Sequence, residues 1–309
     1  MREEPGRGIA MGEDGRVGAS AAPLAVLARK ARSAAHHAHR YARYGEWRLR
    51  RRPLAGGMPH GLGRPLIVTL TSYPPRFALL ALTLKCLLSQ SVRPDAVILW
   101  IAHDDRGSLT REILRLQEFG LTIRFSKDLR SYKKIVPALR EHPDSYLVTA
   151  DDDAYFGRDW LKSLVSAWRS DDEVLCRRAH LIRTGDDGLP LAYDVWRREI
   201  GAGDPSPLVF PTSGGGVLYP PGVLVPEVDR EERFMALCPT ADDVWLYFMM
   251  RRTGALARRV GAGRAFVDWP AGRVASLSHG NVGPGGGNDR QIGRMIAEFG
   301  FPPVTKERP

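Results

Sequence analysis

The sequence predicts a single α/β domain with an open, mostly parallel sheet and helices on both faces, preceded by a basic arm. Three observations carry this. Short β-branched or apolar runs alternate with helix-period stretches four times between Leu66 and Ala150, the signature of a parallel sheet with crossover helices. No internal repeat competes with that alternation. Of the 309 residues, 43% are hydrophobic and 26% charged, values that exclude wholesale disorder and a polytopic membrane protein.

Residues 1–20 are Gly-rich and charged and are expected to be disordered. Over 21–52 the composition shifts to Ala, Arg, Leu, His and Tyr, which favours a helix with a basic face. A linker with four Gly and two Pro follows at 53–64, so 1–64 form the arm and 65–309 the domain. The run Leu66-Ile67-Val68-Thr69-Leu70 reads as the first strand, closed by Pro74-Pro75. Phe77, Leu80, Leu84, Leu87 and Leu88 then recur at the helical period, and Arg93-Pro94 leads to a strand at 96–101. A helix over 110–118 stops at Gly120, and strand 121–125, helix 135–139 and strand 146–150 complete the alternation. Beyond it, 160–168 is expected as helix, 174–179 and 217–219 as strands, 241–252 and 291–299 as helices. Residues 183–215 form a long irregular insertion of the kind that usually serves function.

The net charge of +10 sits mostly on the arm. Residues 1–60 hold 12 Lys or Arg and 5 acidic residues, leaving 33 against 30 for the rest. The domain is nearly neutral, so nucleic acid is not an expected partner, and zinc-finger spacing and interleaved aromatics are absent. An anionic membrane surface is the partner that residues 21–52 suggest, with a solvated tail as the plain alternative. On the membrane reading, deleting 1–52 should abolish liposome binding and spare soluble activity. Cys86, Cys176 and Cys238 are an odd, widely spaced set that points to a reducing compartment. Acidic residues where a signal peptide would be basic, and no apolar run near 20 residues, place the expected location in the cytoplasm, at the inner membrane face if the arm binds there.

Chemistry concentrates where the fourth strand runs into Asp151-Asp152-Asp153. In an open parallel sheet, ligands bind at the carboxyl ends of the strands. Pleat alternation would turn Asp151 and Asp153 to one side and Asp152 to the other. Two such carboxylates can share Mg²⁺ or Mn²⁺, leaving positions for phosphate oxygens; a solvated acidic turn is the alternative. The pair Asp242-Asp243 opens a helix, where acidic residues offset the helix dipole and Thr240 makes a plausible N-cap with Asp243 in capping-box position. Beside a metal site, the pair offers a general base. Ser213-Gly214-Gly215-Gly216 allows close backbone approach to a ligand, although a flexible loop explains it equally. No Walker loop, dinucleotide fingerprint, GxSxG elbow or HExxH is present, which disfavours P-loop, hydride-transfer and hydrolytic templates.

Taken in order, Thr69-Leu70-Thr71-Ser72-Tyr73-Pro74-Pro75-Arg76, Ser131-Tyr132-Lys133-Lys134, Thr149-Ala150-Asp151-Asp152-Asp153, Cys176-Arg177-Arg178-Ala179-His180, Gly214-Gly215-Gly216 before Leu218-Tyr219-Pro220-Pro221, Asp242-Asp243-Val244-Trp245 and Asn288-Asp289-Arg290-Gln291 resemble bacterial glycosyltransferases of the GT-A fold, in the family 2-like group. The resemblance covers about residues 65–301. It implies that Thr71, Ser72, Tyr73 and Arg76 face the nucleotide and that Asp151 and Asp153 bind Mn²⁺ or Mg²⁺, with Asp152 between them at the donor site. It further implies that Gly214, Gly215 and Gly216 line the donor and acceptor sugars. The catalytic base is expected from Asp242 and Asp243, with Asp243 favoured. Lys134, or Lys133, would hold phosphates, and His279 would make a late metal or phosphate contact. The implied reaction is inverting transfer from a nucleotide-sugar donor to a glycan or glycolipid acceptor in cell-surface polysaccharide or glycoconjugate assembly. A sugar-phosphate nucleotidyltransferase is the alternative on this fold, although it would want a Gly-rich basic loop after the first strand. A non-catalytic anionic-surface-binding protein is the other.

Overall fold

A computed structural model describes residues 21–262, 267–270 and 286–303. His279, residues 1–20 and most of the Gly-rich stretch before Asn288 lie outside the described residues. The chain runs through α1 (Ala21–Leu49), β1 (Met58–Pro59), β2 (Leu66–Thr71), α2 (Phe77–Leu87), β3 (Val92–Arg93), β4 (Ala96–Ala102), α3 (Arg111–Arg115) and β5 (Leu121–Ser126). It continues with α4 (Val136–Glu141), β6 (Tyr146–Thr149), β7 (Ala154–Tyr155), α5 (Trp160–Val165), β8 (Glu173–Cys176), β9 (Ala179–Leu181), β10 (Val209–Pro211) and β11 (Val217–Tyr219). Helices α6 (Glu231–Leu237) and α7 (Asp242–Arg251), strands β12 (Leu256–Arg259) and β13 (Val267–Asp268), and a last helix, α8 (Gly287–Phe299), complete it.

Seven strands form the central sheet in the order β12-β8-β11-β6-β2-β4-β5. β2 pairs in parallel with β4 and β6, β4 with β5, and β12 with β8. Only β11 runs against its neighbours β6 and β8. The sheet is therefore mostly parallel, and its inner strands β2, β4 and β6 are buried on both sides, which explains their near-continuous apolar runs. Alternate residues feed two cores. Ile67, Ile98, Trp100 and Leu147 meet α4, α6, α7 and α8 on one face, while Leu66, Val68, Leu99 and Val148 meet α2, α3 and α5 on the other.

Three expectations change on inspection. The apolar stretch 174–179 is two strands, because Arg177 and Arg178 interrupt the ladder. β9 then leaves the sheet to pair antiparallel with β10, which gives the insertion after Leu181 a returning strand. The helix after Thr110 tightens into a 3₁₀ turn, Leu116–Phe119, before Gly120 at φ 98°. The arm, finally, is not separate from the body along its whole length. Trp47 is buried among the residues of the second core, and the buried Lys85 of α2 donates to the carbonyls of Trp47 at 3.0 Å and Arg50 at 2.8 Å and to Glu112 at 3.1 Å. An ammonium placed at the end of α1 satisfies carbonyls that have no partner within the helix. The linker also clings to the domain, with Met58 N donating to Ser91 O at 2.8 Å. Among the described residues, no helix is long and apolar enough to cross a membrane.

Candidate active site

The carboxyl ends of β2 and β6 lie side by side, and the reversed strand β11 starts there, with Val217 opposite Thr149. This topology draws four distant segments to one edge. After Thr71, whose hydroxyl donates to Trp100 O at 2.8 Å, the chain turns through Ser72, Tyr73 and the 3₁₀ turn Pro74–Arg76. Arg76 Nη1 lies 2.6 Å from Asp152 Oδ1 and 3.0 Å from Asp153 Oδ2, and Ser72 Oγ donates to Asp152 Oδ2 at 2.5 Å. The same guanidinium stands 5.6 Å from the Tyr73 ring centroid. Burial pulls the Arg76 pKa down, but Asp152 and Asp153 outweigh it and raise it.

The acidic triplet occupies the turn between β6 and β7 rather than a strand, so tertiary contacts set its orientation instead of the pleat. Asp152 is buried on Ser72 and Arg76, whereas Asp151 and Asp153 stay partly exposed. Burial, then Asp151 and Asp152, push the Asp153 carboxyl up to about 7 against the pull of Arg76. Burial also raises Asp152, with Arg76 and Ser72 opposing.

Lys134 joins the triplet to the second acidic pair. Its ammonium is 3.2 Å from Asp151 Oδ1, 3.2 Å from Asp242 Oδ2 and 3.0 Å from Ser213 Oγ. The backbone is fixed by Thr69, whose hydroxyl donates to Lys134 O at 2.6 Å and accepts from Trp100 Nε1. Burial lowers the pKa of this lysine, yet Asp151, Asp242 and Asp243 together raise it well above the ordinary value. Lys133, by contrast, turns away to pair with Asp128.

Ser213–Gly215 form a 3₁₀ turn, with Gly214 the least buried of the three glycines that follow Ser213. Gly216 closes it at φ 91°. Trp160 Nε1 donates to Gly215 O at 2.8 Å, and Gly216 N to Ser213 O at 2.8 Å. Ser213 N donates to Asp243 Oδ1 at 3.0 Å. This corrects the capping-box expectation: Ala241, not Thr240, precedes α7, and no side chain caps it. Gln291 of α8 instead holds the segment that leads into the helix, accepting from Thr240 N and Ala241 N at 3.0 and 3.1 Å and donating to Thr240 Oγ1 at 2.9 Å. Asp242 is buried against Lys134, while Asp243 remains partly exposed. Burial and the neighbouring Asp242 raise the Asp243 pKa, with Lys134 pulling it back.

No protein-family model and no curated protein sequence matches the chain. Among solved structures, a mannosyltransferase from Pyrobaculum calidifontis in complex with GDP-Man and Mn²⁺ is similar at 16% identity and a TM-score of 0.31, over 50% of this chain and 46% of that one. The chain thus spans less than half the length of that enzyme. The inositol-1-phosphate CTP transferase from T. maritima is similar at 10% identity and a TM-score of 0.34, over 79% of this chain and 98% of that one. At such scores neither likeness carries chemistry to this protein.

The donor set itself suits a hard divalent cation. Five carboxylates face Arg76 and Lys134 here, and the repulsion from Asp151 and Asp152 that adds to burial in raising Asp153 is what a divalent charge relieves. Among the described residues no three His, Cys, Asp or Glu side chains converge as a metal cage. The chain would contribute one or two carboxylates, which is the Mg²⁺ or Mn²⁺ pattern when phosphates complete the shell. Ser213 and Gln291 are the residues whose contacts with Lys134, Asp243 and Thr240 the sequence reasoning did not supply. Their only sequence signals are the Gly-rich neighbourhood of Ser213 and the position of Gln291 in a late polar cluster.

Proposed function

We propose that this protein is a metal-dependent glycosyltransferase that moves a sugar from a nucleotide-diphosphate sugar to an acceptor hydroxyl with inversion. One observation carries the reading: a single buried ammonium, Lys134, stands 3.2 Å from both Asp151 and Asp242, which sets a candidate metal-binding carboxylate beside a candidate base pair. Asp151 and Asp153 would hold Mn²⁺ or Mg²⁺, which when bound offsets the charge of the leaving diphosphate. Asp152 keeps Arg76 and Ser72 in place beneath them. Thr71, Ser72 and Tyr73 end the first strand where the nucleotide would lie, and the Gly214–Gly216 backbone leaves room for the sugars. Asp243 is the base: it is the exposed member of its pair, its raised pKa suits proton acceptance near neutrality, and the Ser213 N–H orients its carboxylate.

The acceptor is a glycan or glycolipid hydroxyl, and the setting is assembly of cell-surface polysaccharide or glycoconjugate. The basic residues over 21–52 would bring the enzyme to an anionic membrane on the cytoplasmic side. A panel of nucleotide sugars screened by thermal shift, with and without Mn²⁺, tests the reading. Stabilisation that needs both ligands supports it, whereas stabilisation by a nucleoside triphosphate would favour nucleotidyl transfer instead. Once a donor is found, product NMR reads the anomeric configuration, and retention would remove Asp243 as a simple base. Turnover that stays Mn²⁺-dependent in Asp153→Ala would remove Asp153 as a ligand.

A further inference from the structure

The docked half of α1 reaches the segment that carries Asp153. Arg40 Nε donates to Asp268 O at 3.0 Å and Arg40 Nη2 to Trp269 O at 3.1 Å. Those two carbonyls belong to the stretch paired with β7, where Asp268 stands opposite Ala154, and Trp269 N donates to Asp153 O at 3.1 Å. Beneath this ladder the buried Trp269 indole donates to Thr83 Oγ1 at 2.9 Å, and Thr83 Oγ1 donates to Ala154 O at 2.9 Å. The Trp47 and Trp269 rings also flank Tyr155 at 6.2 and 5.9 Å between centroids, with the Arg43 guanidinium 5.4 Å from the same ring.

The main chain of Asp153 is thereby held from below by α2 and from outside by the arm. A two-residue ladder contributes few hydrogen bonds of its own, and its position depends on what is packed on it. From these contacts we infer that α1 is part of the catalytic apparatus and that Arg40 is a positioning residue, fixing Asp153 through the carbonyls of Asp268 and Trp269. The role is distinct from membrane binding and rests on the reading of Asp153 as a metal ligand. Arginine suits it because one planar fork reaches two successive carbonyls at once.

The test compares Arg40→Ala, Arg40→Lys and Asp153→Asn in the full chain. Two readouts are used: Mn²⁺ titration followed by the paramagnetic signal of the free ion, in the presence of a nucleoside diphosphate, and hydrogen exchange at the Trp269 amide. Arg40→Ala should weaken Mn²⁺ binding about 10-fold or more, the usual cost of losing support behind a ligand. It should also speed exchange at Trp269, with Arg40→Lys recovering part of both. Asp153→Asn should lose Mn²⁺ binding outright. If Asp153→Asn binds Mn²⁺ as wild type does, the metal reading fails, and Trp269 exchange then judges the brace alone. If Arg40→Ala matches wild type in Trp269 exchange, or in Mn²⁺ affinity while Asp153→Asn is impaired, the inference is overturned.

Discussion

Gly216→Ala tests how the site's backbone is built. Gly216 holds φ 91° and ψ 136°, and an added Cβ would lie 2.4 Å from Trp160 Cζ2 and 2.8 Å from Cε2 and Nε1. The strained backbone costs about 1–3 kcal/mol. Pushing a buried indole aside costs about 1–3 kcal/mol more, and the Trp160 to Gly215 hydrogen bond, worth about 1 kcal/mol, goes with it. The expected loss is about 3–7 kcal/mol, read by urea unfolding. Gly222 is the control, because it has φ 78° but nothing within 4 Å of the position a methyl group would take. Gly222→Ala should cost only about 1–2 kcal/mol, the backbone part. Trp160→Leu combined with Gly216→Ala should cost less than the two single changes added, since the ring is the obstacle. If Gly216→Ala is no worse than Gly222→Ala, or if the pair is additive, the indole does not hold this loop.

Three further outcomes follow from other contacts. Lys134→Met leaves Asp151 and Asp242 without their shared cation and should cost about 3–5 kcal/mol; urea unfolding of the variant against wild type checks this. His180 is buried, accepts from Glu199 N at 3.0 Å, and is lowered to about 4 by burial and then by Arg178 and Arg198. Its folded pKa is depressed, so the unfolded chain binds the proton more readily: stability is intact above about 6.5 and declines by at most about 3 kcal/mol as pH drops through 4. His180→Asn should flatten that slope in unfolding measurements at pH 4 to 7. Removing residues 1–39 should leave the melting point nearly unchanged, whereas removing 1–52 takes away Trp47 and the helix end that Lys85 serves and should cost about 5 kcal/mol or more. Calorimetry of the two truncations would refute this if they melted alike.

The parallel half of the fold was readable because β2, β4 and β6 are buried on both faces and must be apolar along their length, whatever they touch. The edge bearing Asp151-Asp152-Asp153 followed from the rule that such strands end at the binding edge. What stayed hidden depends on pairs far apart in the chain. Lys85 interrupts an apolar helix and looks like its solvent side, yet it is buried because α1, some 35 residues earlier, brings carbonyls to it. Thr240 had the local credentials of an N-cap, yet it falls one residue short of that position and pairs instead with Gln291, 51 residues later. Arg76 is expected to face the nucleotide, but two carboxylates 76 and 77 positions on engage it. Local periodicity reports which face is dry and is silent about which partner arrives there.

The single reversed strand has an architectural consequence. Because β11 enters the sheet from the edge where β6 and β8 leave it, the excursion from Ala179 to Gly216 departs and returns at the same rim. Its length can change without shifting the register of any parallel strand, since no crossover has to span the sheet. The stretch between β9 and β10 is therefore freer to vary in length than the acidic turn pinned between β6 and β7. Changing that stretch, which carries Tyr193 into the neighbourhood of Asp243, would alter the rim of the candidate site while leaving Ser213 and the sheet in place.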